Sequence, residues 1–197
     1  MGRPKNYDPA DVLSAAVRTF RRLGYGGASL DVLTRATGLR RGSLYAAYPD
    51  KRALFLAALD DYTRSTVGHV ERTLAAAEDP LAGIAATLRR VARVASDGEG
   101  RHGCLLTNTA AELAGRDAEV QAVVAAAFGR LEAAYAGAIE RARAAGRIAP
   151  DADTAGLARL LVAVMQGLRV LGKSGLGEAE LQPVVEGALR ALGGAPR

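Results

Sequence analysis

Apolar residues recur at helical spacing along most of the chain, and aspartate, proline and glycine mark the ends of the segments. Asp8-Pro9 opens a first helix in which Val12 and Phe20 share a face, and Gly24 ends it. Alternation of β-branched and polar residues, which is typical of strands, is almost absent. The pattern predicts an all-α protein of about nine helices.

The same signals delimit the later helices. Ser29 is a suitable cap for the second helix, Gly38 ends it, and Pro49 closes the third. The segment 96–103 is rich in glycine and charge, which predicts a loop. The helices predicted after the first cover residues 29–38, 41–48, 50–76, 79–95, 104–114, 117–145, 151–173 and 178–192.

Positive charge is concentrated near the N-terminus. Residues 1–52 contain ten lysines and arginines against four aspartates, an excess of six, whereas the whole chain carries +5. The remaining residues therefore sum to about −1. This distribution is typical of a polyanion-binding domain at residues 1–52, attached to a nearly neutral domain at residues 53–197. A solvated basic surface explains the charge alone equally well.

Residues 29–48 carry the strongest functional pattern. Two short amphipathic segments flank a glycine turn, and the second opens with two arginines, which is the layout of a helix-turn-helix. In that motif the first residues of the second helix meet base edges in the major groove, where arginine pairs with guanine. The residues predicted to contact DNA are Arg3, Ser29, Arg40, Arg41, Gly42, Ser43, Leu44, Tyr45, Tyr48 and Lys51.

Several motifs resemble the N-terminal domain of the tetracycline-repressor (TetR) family of transcription regulators. They are GYGGASL from Gly24, ATGLRRG from Ala36, GSLY from Gly42 and YPDKRALF from Tyr48. The resemblance implies three helices for DNA, followed by an all-α domain for ligand binding and dimerisation. Ala46 and Ala47 depart from the family pattern, in which His or Tyr is common, so fewer phosphate contacts are expected there.

The basic arm Gly2–Lys5 allows two interpretations. It resembles the Gly-Arg-Pro core that lies in the minor groove of A·T-rich DNA, where the groove concentrates negative potential. It is equally compatible with a disordered tail that only improves solubility.

Enzymatic chemistry is not indicated. Nucleophile-elbow, zinc-protease, CxxC and phosphate-loop motifs are absent from the sequence, and the two histidines, His69 and His102, are far apart. We therefore expect no catalysis, no metal and no cofactor. A single cysteine, no apolar run of membrane-spanning length and no secretory leader predict a cytoplasmic protein.

A ligand pocket is expected between the middle helices, mostly apolar with a few polar points. The candidates, for each of which ordinary core packing is the alternative, are Tyr62, Val67, His69, Leu88, Leu105, Thr107, Asn108, Phe128, Tyr135, Met165 and Gln166.

Cys104 is a candidate sensor. It follows a glycine-bounded loop and begins a helix, where the helix dipole lowers a thiol pKa. The run from Gly103 to Asn108 resembles a motif of one TetR-like subgroup, some members of which sense electrophiles or oxidants. By the same resemblance, Lys173 is the cationic partner. An inert core thiol is the alternative.

The last two predicted helices are candidates for dimerisation. Residues 157–171 are apolar nearly all round, which implies burial on two sides, and the final helix carries an apolar stripe. A monomer with this helix in its own core is the alternative. The predicted contacts between subunits are Leu160, Leu161, Val164, Leu168, Val184, Val185, Ala188 and Leu189.

The sequence leaves two functions open. One is a dimeric repressor that binds a palindromic operator in double-stranded DNA and responds to a small molecule, an electrophile or an oxidant. The other is an all-α binding or scaffold protein whose basic domain meets a different polyanion, such as RNA or a membrane surface.

Overall fold

A computed structural model describes residues 7–193, which contain nine α-helices, one short 3-10 helix and no strand. The helices are α1 (Pro9–Gly27), α2 (Leu30–Thr37), α3 (Arg41–Ala47), α4 (Lys51–Ala76), α5 (Pro80–Ser96), α6 (Leu105–Leu113), α7 (Ala118–Ala144), α8 (Thr154–Lys173) and α9 (Glu178–Leu192). The all-α prediction is confirmed. The basic arm with Arg3 lies outside the described residues.

Aspartate side chains define where many of these helices begin. A carboxylate at the N-cap accepts a hydrogen bond from a backbone N–H of the first turn, which has no partner within the helix. This local interaction explains why the starts were predictable from sequence. The capping aspartates are Asp8, Asp50, Asp79, Asp117 and Asp153.

Two segments differ from the prediction. Gly24 has φ 73° and ψ 175°, so it kinks α1 instead of ending it, and one helical turn continues to Gly27. Residues 96–103 are not an open loop, because Gly98–His102 forms the 3-10 helix. Both segments pack against distant parts of the chain, and sequence periodicity does not report such contacts.

The first three helices form a small unit, called the head below, and α5–α9 form the body. Helix α4 joins the two. In the head, Phe20 and Tyr25 contact Phe55 of α4, with ring centroids 5.1 and 4.9 Å apart. One continuous hydrophobic core runs from Val12 to Leu192. A movement of α4 is therefore expected to carry the head with it.

Helices α7 and α8 are long and apolar enough to cross a membrane by length and composition, with mean hydropathies of 1.3 and 1.4. This corrects the expectation that no segment approaches a membrane span. Core helices of soluble proteins pass the same test. The two helices pack along each other extensively, so the helical core accounts for part of their apolar character.

Candidate DNA-reading helix and sensor site

The turn between α2 and α3 has helix-turn-helix geometry. Ser29 caps α2 by accepting a hydrogen bond from the Val32 N–H at 3.3 Å. Gly38 ends α2 at φ 69°, a left-handed conformation that favours glycine. After two further residues, α3 begins at Arg41. The motif therefore forms where the sequence predicted it.

Helix α3 divides its predicted DNA contacts between two faces. Leu44 is only 3% exposed and packs with Leu33 in the core of the head. Its assignment as a DNA contact was wrong. Leu44 is the large apolar residue in the middle of a short amphipathic helix, so it packs α3 onto the head and does not face the DNA. The exposed residues around it are Arg40, Arg41, Gly42, Ser43 and Tyr45.

Lys51 has partners within the protein, and Tyr48 is partly buried against the core. Lys51 donates a hydrogen bond from Nζ to the Tyr25 carbonyl at 2.8 Å, and its ammonium lies 4.2 Å from the centroid of the Tyr25 ring. Burial raises the pKa of Tyr48, as does the proximity of Tyr7 and Asp61. Lys51 therefore helps to join the head to α4.

A cavity of about 330 Å³ lies between α4 and α5, and both α1 and α8 contribute to its lining. Of the predicted pocket residues, Tyr62 and His69 line it. Its wall also contains Arg21, Arg72, Arg90 and Arg169. The expectation of a mostly apolar pocket without strong charge was therefore wrong.

The other predicted pocket residues have different roles. Tyr135 is fully buried, and its hydroxyl lies 3.0 Å from the Thr87 hydroxyl and 3.7 Å from Met165 Sδ. Thr107 donates a hydrogen bond to Gln166 at 2.7 Å. The remaining candidates that lie in the core or pack against it, instead of lining the cavity, are Val67, Leu88, Leu105 and Phe128.

The arrangement of His, Cys, Asp and Glu side chains in residues 7–193 does not indicate a metal site. Among residues 7–193, no group of three or more His, Cys, Asp and Glu side chains is arranged to hold a metal ion. His102 lies in the 3-10 helix, apart from His69 in α4.

Cys104 is buried at the N-cap of α6, next to two polar side chains. The Tyr62 hydroxyl donates to its Sγ at 3.5 Å and accepts a hydrogen bond from Arg169 at 3.0 Å. Burial alone would raise the pKa of this thiol. The positive charge of Arg169 and the hydrogen bond from Tyr62 outweigh burial, so the pKa of Cys104 lies below its usual range. This environment favours a thiolate.

The resemblance implied that Lys173 is the cationic partner of Cys104, and this was wrong. The partner is Arg169. Lys173 instead donates a hydrogen bond to Asn108 Oδ1 at 3.0 Å. Sequence reasoning missed Arg169, although a signal existed. It is the one charged residue in the apolar stretch 160–172. Burial of an ionised side chain is unfavourable unless the charge is paired, so its presence there indicates a nearby partner.

One face of α6 connects Cys104 to the head. Asn108, one turn further on, donates hydrogen bonds from Nδ2 to the carbonyls of Arg21 and His102 at 3.1 and 3.0 Å. Glu112, after another turn, accepts hydrogen bonds from the N–H groups of Tyr25 and Gly26 at 2.8 and 2.7 Å. Sequence reasoning also missed Glu112, since an isolated glutamate on a helix carries no local signal of a distant partner.

Glycine at position 24 makes room for Glu112. A Cβ added at Gly24 would lie 2.6 Å from Glu112 Oε2, and the backbone has positive φ there. Arg52, at the start of α4, forms a second connection by pairing with Asp117 and Glu119. The hydrogen bonds from Arg52, together with one from the Val120 N–H, lower the pKa of Asp117 to about 2.

The predicted dimerisation residues also fall into two groups. Leu161, Leu168, Val185 and Ala188 are buried within the protomer, so their assignment to a surface between subunits was wrong. Helical periodicity alone does not distinguish a face buried in the protomer from one buried in a dimer. The residues that stay at least partly exposed are Leu160, Val164, Val184 and Leu189.

Helix α8 has an outward apolar strip. Leu160 and Val170 are 41% and 53% exposed, and the partly exposed Val164, Gly167 and Leu171 complete the strip. Only 28% of the most apolar 18-residue stretch of α8 is buried within the protomer. An apolar surface of this kind is typical of a protein interface.

Comparison with known families identifies the chain. Residues 12–58 match the family model for bacterial regulatory proteins of the tetR family, and residues 80–174 match the tetracyclin repressor-like C-terminal domain. The chain belongs to the TetR family of transcriptional regulators. The two matched segments correspond to the helix-turn-helix unit and to most of the all-α body.

Individual relatives agree with this assignment over nearly the whole chain. The chain is 31% identical over 193 residues to the transcriptional regulator YezE of Bacillus subtilis, covering 98% of this chain and 100% of YezE. It is 26% identical to the transcriptional repressor ComR of Escherichia coli, covering 96% and 90% of the two chains.

A structural relative has been solved with DNA. A cysteine-substituted variant of the TetR-family regulator CifR, bound to a 26-base-pair operator duplex, superposes with a TM-score of 0.85. It is 34% identical to this chain, and the match covers 96% of this chain and 99% of CifR.

The family assignment decides between the two functions left open by the sequence. The chain is a DNA-binding regulator of the repressor type, and the scaffold alternative is set aside. Its relatives are regulators of transcription and not enzymes.

Proposed function

We propose that this protein is a cytoplasmic, homodimeric repressor that releases a palindromic operator when Cys104 is modified. The observation that carries the proposal is the position of Cys104, which is buried beside Tyr62 and Arg169 at the N-terminus of the helix that holds the head. The run Gly103–Leu106 supports placing the chain in the TetR-like subgroup with a sensor cysteine.

DNA reading is assigned to the exposed face of α3. Arg40 and Arg41 lie at its N-terminus, where helix-turn-helix proteins contact base edges. Ser43 and Tyr45 add hydroxyls on exposed positions, and Gly42 leaves room for a close approach of the backbone. Arg3 is assigned to the minor groove by its place in the basic arm.

Modification of Cys104 needs a movement of Tyr62. The Tyr62 side chain lines the cavity, whereas Cys104 lies behind it and is 2% exposed. An electrophile that enters the cavity reaches the thiolate once Tyr62 rotates. With a maleimide, the thiolate sulfur forms a bond to one alkene carbon, and a proton from solvent ends on the other. The adduct is too large for the closed arrangement, so Tyr62 and the start of α6 are displaced.

Helix α6 transmits this displacement to the head. Asn108 and Glu112 lie one and two turns beyond Cys104 and hold the backbone of α1 by hydrogen bonds. A shift or tilt of α6 therefore moves the head relative to the body. A dimer requires its two reading helices to be about 34–36 Å apart, so a displacement of a few Å weakens binding. An effector acts by favouring one of these two arrangements.

Dimerisation is assigned to α8 and α9 through the exposed strip on α8 and the partly exposed residues of α9. Packing these helices against a second copy would give an isologous four-helix arrangement. The strip Leu160–Leu171 contains one charged side chain, Arg169, which points to the protomer's own cavity. Because Arg169 faces the cavity, the outward side of this strip is apolar, which suits a permanent contact between identical subunits.

The test compares the wild type with Cys104→Ser before and after treatment with N-ethylmaleimide or hypochlorite. We expect the wild type to lose operator affinity at least tenfold and the variant to be unaffected, measured by fluorescence anisotropy. Equal responses of both proteins, or no response of either, would contradict the proposed trigger. Binding of the untreated proteins to the operator provides the control for folding.

A further inference from the structure

The cavity arginines lack carboxylate partners. Eight other arginines in residues 7–193 lie within 4.0 Å of an aspartate or glutamate oxygen. None of Arg21, Arg72, Arg90 and Arg169 does so in the described part of the chain, and no acidic side chain is among the lining residues. Four guanidinium groups without a carboxylate partner therefore line one cavity.

The deepest of these groups is incompletely satisfied. Arg169 donates one hydrogen bond to Tyr62, but its Nε is inaccessible to water and has no hydrogen-bond partner within residues 7–193. A buried N–H without an acceptor is unfavourable, and more so on a charged group. Cys104 neutralises part of this charge only when it is ionised. An anionic acceptor in the cavity would relieve the rest.

His69 reports the positive potential at the same place. Burial lowers the pKa of this imidazole, and the neighbouring Arg90 and Arg72 lower it further. The ring is therefore neutral at pH 7, although two cationic side chains lie near it. An imidazole N–H and the hydroxyls of Ser65 and Thr66 add neutral hydrogen-bond donors to the lining.

The remaining wall is apolar, formed by Val70, Val91, Val94 and Ala95. We propose that the cavity binds a small organic anion whose carboxylate or phosphate meets the arginines and whose apolar part packs against the valines. Its volume of about 330 Å³ suits a small molecule and excludes a macromolecule. A guanidinium group can donate two parallel hydrogen bonds to two oxygens of a carboxylate or a phosphate.

Binding would also contact the connection between head and body. Arg21 belongs to α1, donates hydrogen bonds to the carbonyls of Gly103 and Glu99 at 2.9 Å each, and lies 6.0 Å from the centre of the Tyr62 ring. An anion that attracts Arg21 competes with these interactions. That regulatory consequence rests on the proposed repressor function, whereas the binding site does not.

The first experiment measures binding without DNA, using NMR of the two histidine rings. The probes are benzoate and phenyl phosphate, with benzamide as the nearly isosteric neutral control, all at constant ionic strength in sodium chloride. We expect saturable shifts of His69 with one or both anions and none with benzamide. His102, which lies outside the cavity lining, is the internal reference. A preference between the two anions identifies carboxylate or phosphate as the favoured group.

The second experiment assigns the binding to the arginines. Arg72→Gln and Arg90→Gln should each weaken the preferred anion about tenfold. Arg64→Gln and Arg93→Gln remove the same charge from α4 and α5 outside the cavity, and they should leave binding unchanged within twofold.

Three results would overturn the proposal: no saturable shift of His69 with either anion, equal shifts with benzamide, or equal losses in all four variants. The NMR result is independent of DNA. A protein that binds benzoate but not operator DNA would therefore contradict the proposed function and leave the anion site standing.

Discussion

At the scale of single residues, the sensor site depends on an imbalance of charge. Arg169 is partly buried, with an inaccessible Nε and no carboxylate within 4.0 Å among residues 7–193, and Cys104 is a nearby group that can become negative. When Cys104 ionises, its thiolate and the Arg169 guanidinium stabilise each other, while Tyr62 bridges the two side chains by hydrogen bonds. Burial and a neighbouring thiolate both raise the pKa of Tyr62, so its hydroxyl remains a donor.

Replacing Arg169 by Gln should make Cys104 less reactive. Loss of the positive charge raises the thiol pKa, so less thiolate is present at pH 7. We expect alkylation by iodoacetamide to slow at least fivefold and its pH midpoint to move upward. Arg159→Gln, on the same helix but paired with Glu132, is the control. An unchanged midpoint in Arg169→Gln would rule out this explanation of thiol reactivity.

Replacing Arg41 by Ala should affect sequence recognition. If its guanidinium reads a base, operator binding should weaken by about 1–3 kcal/mol, and the preference at one base pair should relax. Anisotropy titrations with the operator and with single-base variants measure both effects. Arg64→Ala, in the exposed part of α4, should change neither. A uniform loss on every DNA sequence would instead assign Arg41 to a phosphate.

At the scale of elements, α6 is the proposed link between the Cys104 site and the head. Its N-cap is Cys104, and successive turns on one face present Asn108 and Glu112 to the backbone of α1. The kink at Gly24 turns the N–H groups of Tyr25 and Gly26 toward the Glu112 carboxylate. A nine-residue helix is short enough to move as a rigid unit when its N-terminus is displaced.

Replacing Glu112 by Gln should uncouple sensing from DNA release. The amide retains the size of the side chain but loses the charge and one of the two acceptors, so one N–H of the kink loses its partner. We expect stability to fall by about 1 kcal/mol in urea denaturation. Operator binding should persist, whereas N-ethylmaleimide should no longer release the DNA.

The matched control for that experiment is Glu132→Gln. Glu132 pairs with Arg159 within the body, so the same chemical change does not touch the head. Normal release of the DNA by Glu112→Gln would exclude the Glu112 contact as the route.

At the scale of the whole molecule, symmetry is needed for function. A single head carries one short reading helix, and two heads at a fixed separation are required to recognise two half-sites. The apolar strip on α8 is the surface that we propose for this contact, since Leu160 and Val170 extend outward from the body.

Introducing a charge into this strip should separate the subunits. Leu160→Glu places a carboxylate opposite its symmetry mate in an apolar contact, so sedimentation analysis should find a monomer. Operator affinity should fall by at least two orders of magnitude, while the helical circular dichroism remains. Ala122→Glu, at an exposed position of α7, is the control. A stable Leu160→Glu dimer would move the interface elsewhere.

The sequence by itself determined the helices and the DNA-binding motif. Capping aspartates, the turn at Gly38 and the spacing of apolar residues are local signals, because each acts within a few residues along the chain. The basic excess before residue 53 was equally visible. These features are enough to recognise a DNA-binding regulator.

Only the tertiary structure decided how the body is arranged for sensing. Tyr62 meets Arg169 across 107 positions of sequence, and Tyr25 meets Glu112 across 87. The tertiary structure also determines which apolar residues of a stripe are buried in the protomer, such as Leu44 and Leu161, and which remain at the surface. Periodicity identifies the face of a helix, but the packing of distant helices determines what covers that face.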